Sequence, residues 1–178
     1  SNQKLLSEIA FVAAVGIGEV IRGLLSPDYR FHYKWPNDLL VDYRKVGGIL
    51  VERATDLRGK DLVAVGIGVN VSTFPSQIIA TSLADCEVKI SVRALLSGVC
   101  ESLNRWLGIW HENGFASIRM NWLKYAYDAG EAIEVRMPDG SCINGSFLDI
   151  EETGALRIRS PIGQIVQITT GEVFRRKS

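Results

Sequence analysis

Two histidines are all the imidazole this 178-residue chain has, and His32 and His111 show no H-E-x-x-H or similar spacing. No metal-binding motif can be read from them. Cysteine is nearly as scarce. Cys86, Cys100 and Cys142 are odd in number, far apart and without a CxxC pair, which favours neither a disulfide framework nor a thiolate metal site and suits a reducing cytoplasm. An excess of charge is missing too. Twenty lysines and arginines balance twenty aspartates and glutamates, so a generic polyanion binder is not expected. Arg175-Arg176-Lys177 reads as a solvated tail, without the basic stripe and interleaved aromatics of a nucleic-acid surface. Nor does any apolar run suit a membrane span, because Glu8 and Glu19 interrupt LLSEIAFVAAVGIGEVI. That stretch is read as a buried helix and no membrane is expected as a partner. Neither an internal repeat nor a low-complexity segment is present.

What is there is a core-forming composition, 47% hydrophobic, arranged in two patterns. Leu5 to Leu25 follows helical spacing on more than one face, and Ser26-Pro27-Asp28 stops it. Strand-like runs follow at 29–33, 39–41, 46–51 and 62–71, with polar turns between the later ones, and an antiparallel meander is the simplest reading. Residues 72–90 look irregular. Ser91 is placed as the N-cap of a helix from Val92 to about Glu112, with Leu95, Leu96, Val99, Leu103, Trp106, Leu107 and Trp110 as its apolar stripe and Asn113-Gly114 as its end. A third helix is expected from Phe115 to Tyr127. From Glu131 onward short strands alternate with Pro-Asp-Gly, Glu-Thr-Gly and Pro-Ile-Gly turns, the spacing of a small antiparallel barrel. A boundary at 128 therefore divides the chain into 1–127 and 128–178, and the second part is small enough to need packing against the first.

Two strand segments carry more than packing. In Leu62-Val-Ala-Val-Gly-Ile-Gly-Val-Asn-Val71, alternation puts Val65, Ile67, Val69 and Val71 on a core face and Ala64, Gly66, Gly68 and Asn70 on the other. The second face has almost no side chains, a mark of close approach by a ligand or another backbone. In Lys45-Val46-Gly47-Gly48-Ile49 the strand register places Lys45 and Gly47 on one face, a cation beside a second vacated surface. An ammonium beside a bare floor suits a carboxylate or a phosphate, and Lys34 adds a second charge. Trp35-Pro36-Asn37-Asp38 is in part an ordinary turn.

KWPNDLLVDYRKVGGILVE followed by VAVGIGVNV resembles the signature of the biotin protein ligase family, and GALRI and TTGEV resemble the small SH3-like barrel that ends those enzymes. The likeness covers nearly the whole chain. It implies an α+β fold: a mixed or antiparallel sheet with helices packed on it, a class II synthetase-like ligase core without its N-terminal part, followed by the SH3-like barrel. It implies ATP-dependent activation of biotin to biotinyl-AMP, with magnesium, and transfer to a lysine of a biotin carboxyl carrier domain. By this resemblance Lys45, Asp38 and Lys34 are catalytic. Lys45, Gly47, Gly66 and Gly68 bind biotin, and Asn37, Asn70 and Trp35 lie on the nucleotide side. Lys45 holds the biotin carboxylate and the adenylate phosphate, and Asp38 assists magnesium or the incoming lysine; an internal Lys34–Asp38 salt bridge is the plainer alternative for those two. A cytoplasmic enzyme is implied, and a homodimer is compatible with it.

The family also carries, upstream of this pattern, a Thr-Asn motif and a GRGRxGR loop that folds over biotin and the adenylate. No such run occurs in these 178 residues. The expectation is a poorly active piece with an open sheet edge, because each lost oxyanion-type donor costs about 3 kcal/mol. The alternatives are a lipoate ligase relative, with the same fold and adenylation chemistry, and a noncatalytic biotin- or adenylate-binding or regulatory module.

Overall fold

Helix α1 runs Asn2–Leu24 and is apolar nearly all round, so it can be buried only between layers. Phe11, Val12, Ala13, Ala14, Val15, Ile17 and Ile21 are all buried, with a sheet on one side and two further helices on the other. Gly18 lets the helix approach that sheet, since a Cβ there would strike the Tyr33 ring. The computed structural model describes residues 2–127 and 129–176. The boundary drawn at residue 128 and Lys177 of the basic tail lie outside the described residues.

The first sheet consists of β1 (Phe31–Lys34), β2 (Asp38–Val41), β3 (Arg44–Thr55) and β4 (Asp61–Val69), in that spatial order and antiparallel throughout. The meander is as expected; parallel pairing is confined to isolated bridges, Tyr33 with Ala126 and Lys45 with Ala80. Between β2 and β3 the loop is two residues long, Asp42 and Tyr43, with φ of 46° and 64°, the left-handed pair that matches strand twist in a tight hairpin. Between β3 and β4, Asp56 Oδ1 accepts from the backbone N–H groups of Arg58 and Lys60, both at 2.8 Å.

The alternation assigned to β4 holds, but its supposed core face is not covered. Val65 and Ile67 remain 39% and 38% exposed. They pair with Val51 and Ile49 on the α1 side of the sheet, yet α1 lies over β3, and β4 forms the open edge of the described sheet.

Ser91 caps α2 (Val92–Asn113) through Oγ, which accepts from Ala94 N at 3.2 Å, and Gly114 ends the helix with φ 72°. Of the expected stripe, Leu96 and Leu107 are exposed, because only the Leu95–Val99–Ser102–Trp106 side meets α1. Glu19 of α1 accepts from Trp106 Nε1 at 2.6 Å and from Ser102 Oγ at 3.0 Å, and pairs with Arg105. Helix α3 (Phe115–Leu123) is shorter than expected. Tyr125–Tyr127 leaves it to pair with β1: Tyr33 N donates to Tyr125 O at 2.8 Å and Tyr127 N to Tyr33 O at 2.7 Å.

The second sheet holds β5 (Ala132–Arg136), β6 (Cys142–Ile150), β7 (Leu156–Arg159), β8 (Ile165–Ile168) and β9 (Glu172–Arg175), antiparallel in the order β8-β7-β6-β5-β9. Ile133, Val135, Phe147, Ile150, Leu156, Ile158, Ile168 and Val173 form its interior. It docks on the first unit through polar contacts: Trp35 Nε1 donates to Gly154 O at 3.1 Å, and Arg119 Nη2 meets Asp149 Oδ2 at 3.1 Å.

Candidate active site

Strict alternation along β3 fails at Val46. Leu39 pairs with Gly47 but Leu40 pairs with Lys45, so Val46, fully buried, is the extra residue of a β-bulge. The bulge separates the two residues that alternation had joined. Gly47 turns toward the core, where a Cβ would stand 2.7 Å from Gly68 O and 3.4 Å from Leu39 Cδ1. Gly48 takes its place beside the lysine: a Cβ there would lie 3.2 Å from Lys45 Cε and 3.3 Å from Nζ. Gly47 is thus a glycine for packing, and Gly48, directly opposite Gly68, is the one on the site face. Around Gly66 and Gly68 the face is open, since a Cβ would meet nothing nearer than Leu50 O at 3.6 Å and Gly48 O at 4.0 Å, respectively. Gly48, Gly66 and Gly68 make the bare floor.

Lys45 stands at its end. Its Nζ lies 2.5 Å from Asp38 Oδ1, with the lysine side chain 36% exposed and the aspartate 14%. The bridge weighed between Lys34 and Asp38 therefore forms between Lys45 and Asp38 instead. Lys34 reaches out of the first sheet, 3.3 Å from Glu172 Oε1 and 5.0 Å from the centre of the Phe174 ring. The backbone of Lys45 is clamped by the irregular segment after β4: Lys45 N donates to Ile79 O at 3.1 Å and Thr81 N to Lys45 O at 3.0 Å.

Asn70 closes that clamp, its Nδ2 donating to Lys45 O at 3.2 Å and to Thr81 O at 2.9 Å. Both amide hydrogens are used within the protein, which leaves Oδ1 as the atom available to a ligand. Asn37 Nδ2 donates to Ile49 O at 2.7 Å and so braces β3. Trp35 is another matter. At 3% exposure, with its Nε1 held by Gly154 O, it is enclosed on the α1 side of the sheet and presents no face to a nucleotide.

A cleft of about 370 Å³ opens over Lys34, Asp38 and Lys45. Ile78 and Ile79 form one wall, and Glu172 and Phe174 of β9 form another. The contribution of β9 escaped the sequence reading, which saw in TTGEV only a barrel strand. No local signal marked Glu172, because basic residues follow it at 175 and 176 and its contact with Lys34, 138 residues away in sequence, forms only where the two sheets meet. The arrangement places one ammonium, pre-paired with a carboxylate, beside a surface where Gly48, Gly66 and Gly68 carry no side chains and Leu50, 57% exposed, stands at the flank. An acid lying on that floor would bring a carboxylate to Lys45, and a phosphate could share the same ammonium. Among the described residues no group of three or more His, Cys, Asp or Glu is placed to hold a metal ion.

The profile of the Biotin/lipoate A/B protein ligase family matches residues 2–72, and that of the Biotin protein ligase C terminal domain matches residues 129–176. The biotin–[acetyl-CoA-carboxylase] ligase of Paracoccus denitrificans is 34% identical over 176 residues, covering 94% of this chain and 72% of that protein. The bifunctional ligase/repressor BirA of Bacillus spizizenii is 28% identical over 88% of this chain, which spans only 49% of that relative's length. Among solved structures, the Aquifex aeolicus biotin protein ligase in complex with biotin and ATP superposes with a TM-score of 0.80 at 26% identity, covering 97% of this chain and 72% of that one.

Proposed function

This chain belongs to the biotin protein ligase family, and from that premise we propose that it carries the biotin-activating centre of such a ligase. The reaction joins biotin's carboxylate to the α-phosphate of ATP, releasing pyrophosphate, and then passes the biotinyl group to a lysine of a biotin carboxyl carrier domain, releasing AMP. The observation that carries the reading is Lys45 with Asp38 at the edge of the Gly48–Gly66–Gly68 floor.

Biotin lies on the floor with its carboxylate at Lys45. As that carboxylate attacks, negative charge gathers on the α-phosphate between two anions, and a fixed ammonium there stabilises the transition state more than the ground state. Asp38 holds Lys45 in place until the substrate anions compete for it, and then stands beside the incoming carrier lysine, whose amine must lose a proton to attack the mixed anhydride. Lys34 adds charge at the cleft mouth, and Asn37 and Asn70 line the nucleotide side while bracing β3 and Lys45. Magnesium would be held chiefly by the phosphates of ATP, with Asp38 as the carboxylate that would assist it, in keeping with an ion that takes few protein ligands. The reading includes residues 128–178 as a separate barrel, a cytoplasmic location, and compatibility with a homodimer.

The test is pyrophosphate release from ATP and biotin, followed by biotinylation of a carrier domain detected with avidin. Slow turnover by the chain, in keeping with a sequence without the GRGRxGR loop, and its loss in Lys45→Ala are the expected outcomes. Biotin binding without pyrophosphate release would instead assign a noncatalytic module, and preference for lipoate in competition calorimetry would assign the neighbouring ligase class.

A further inference from the structure

A second cleft, of about 470 Å³, lies at the C-terminal end of α1, lined among others by Arg22, Ser26, Tyr29, Arg30, His32 and Tyr125. It gathers an unusual share of unmet polar groups. Arg22 Nε and His32 Nε2 are buried without a hydrogen-bond partner, and both residues line this one cleft. Buried N–H groups are almost always paired, so the Arg22 Nε–H calls for an acceptor, to which the neutral His32 ring adds a second donor in its Nε2–H tautomer. Arg22 Cζ sits 3.9 Å from the centre of the Tyr125 ring, a stacking that fixes the guanidinium plane and leaves its edge to donate. Neither Arg22 nor Arg30 forms an ion pair with a described carboxylate.

We propose that this cleft binds a small oxyanion, a phosphate or carboxylate group held between Arg22 and Arg30. Guanidinium forks match such oxygens two at a time. The Ser26 and Tyr29 hydroxyls add neutral donors. Three features oppose the anion: the negative end of the α1 dipole, the Asp42 carboxylate, whose Oδ1 accepts the Arg30 backbone N–H at 2.9 Å, and Glu87, whose charge reaches the Tyr29 hydroxyl. Two guanidinium groups that can bond the anion directly act against a half-charge and two carboxylates that do not touch it, so the site is weak but saturable. Burial and the nearby Arg30 charge hold the His32 imidazole below its ordinary titration range, Asp42 acting in the opposite sense, so a neutral ring reports the anion's arrival. The site is separate from the Lys45 cleft and does not depend on the ligase reading, although His32 also stacks on Tyr43 at 5.4 Å, at the rim of that cleft.

The experiment follows the His32 ring resonances of the full chain by NMR while inorganic phosphate or acetate is added, with chloride at equal ionic strength as the control. A saturable shift with either anion is expected, and the tighter of the two identifies the preferred oxyanion. Arg22→Gln and Arg30→Gln should each weaken it about tenfold, the loss of one charge-assisted bond. The shift should survive in Lys45→Ala. Arg30 is exposed and its backbone bond to Asp42 is untouched by the substitution, so Arg30→Gln stays decisive if Arg22→Gln fails to fold. No saturable shift, a shift that Arg30→Gln leaves intact, or one that Lys45→Ala abolishes overturns the proposal.

Discussion

In the second sheet three glycines mark where strands end: Gly140, Gly154 and Gly163 take φ of 84°, 82° and 84° in the three successive turns, while Gly145 lies within β6 against the backbone of β7. In the first sheet Gly48, Gly66 and Gly68 sit inside strands, without such dihedrals, and together leave one face bare. These two sets of three thus use the same residue type differently, one for the backbone and the other for the surface, although the first sheet also has a turn glycine, Gly59 with φ 79°, and a packing glycine, Gly47. Where the chain needs glycine to turn, a side chain should cost stability. Where the surface needs glycine to be empty, a side chain should cost binding and leave the fold alone.

The comparison is tested hardest at its charged end. Lys45→Ala should lower the rate of pyrophosphate release by ~10²–10³-fold, the scale of losing one oxyanion-type donor, with an unchanged melting temperature. An equally large fall in thermal stability would show the lysine to be structural.

Gly68→Val comes next. The added side chain enters open space, the nearest atom to its Cβ being Gly48 O at 4.0 Å, and valine suits a strand. Biotin affinity by calorimetry should fall by about tenfold or more, ~1.4 kcal/mol, while the melting curve stays put. Gly163→Ala is the mirror image. Nothing lies near its Cβ, but φ is 84°, so about 1–2 kcal/mol of stability should be lost with biotin binding intact. If both glycine variants behaved alike, the division between the two sheets would fail.

Trp35→Phe probes the seam between them. It removes the indole N–H that Gly154 O accepts and should cost about 1 kcal/mol in chemical denaturation, with little change in nucleotide affinity, because the ring is enclosed.

The smallest effect concerns pH. His32 is held below its ordinary titration range by burial and then by Arg30, so the unfolded chain takes up its proton first. Stability should therefore decline as pH falls through about 6.5, the unfolded-state value, and stop declining once the folded protein is protonated as well. In His32→Gln that slope, measured by melting between about pH 7.5 and 5, should flatten.

Much of this was legible in the chain itself. The meander, the Ser91 cap, the Gly114 stop and the turn-punctuated strands of the second sheet are local matters, fixed by periodicity, capping and turn chemistry within a few residues. So was the pairing of Lys45 with a vacated surface, as a kind of arrangement. Its details were not. Alternation chose Gly47, and a single bulged residue, Val46, exchanged it for Gly48. Tyr125–Tyr127 reads as helix, yet the exposed edge of β1 draws it into backbone pairing. Trp35 sits in a motif that resembles nucleotide contacts, yet its ring is buried against the second sheet.

The residues alone determined that a lysine and a run of strand glycines would meet near one hairpin, because strand periodicity and a two-residue turn act over short distances. Only the tertiary structure decided which glycine the lysine stands over, which acid it holds, and that Glu172, more than a hundred residues away, closes the cleft opposite Lys34. A bulge reverses every side chain on one side of it, and the docking of two sheets is set by packing that no local pattern records.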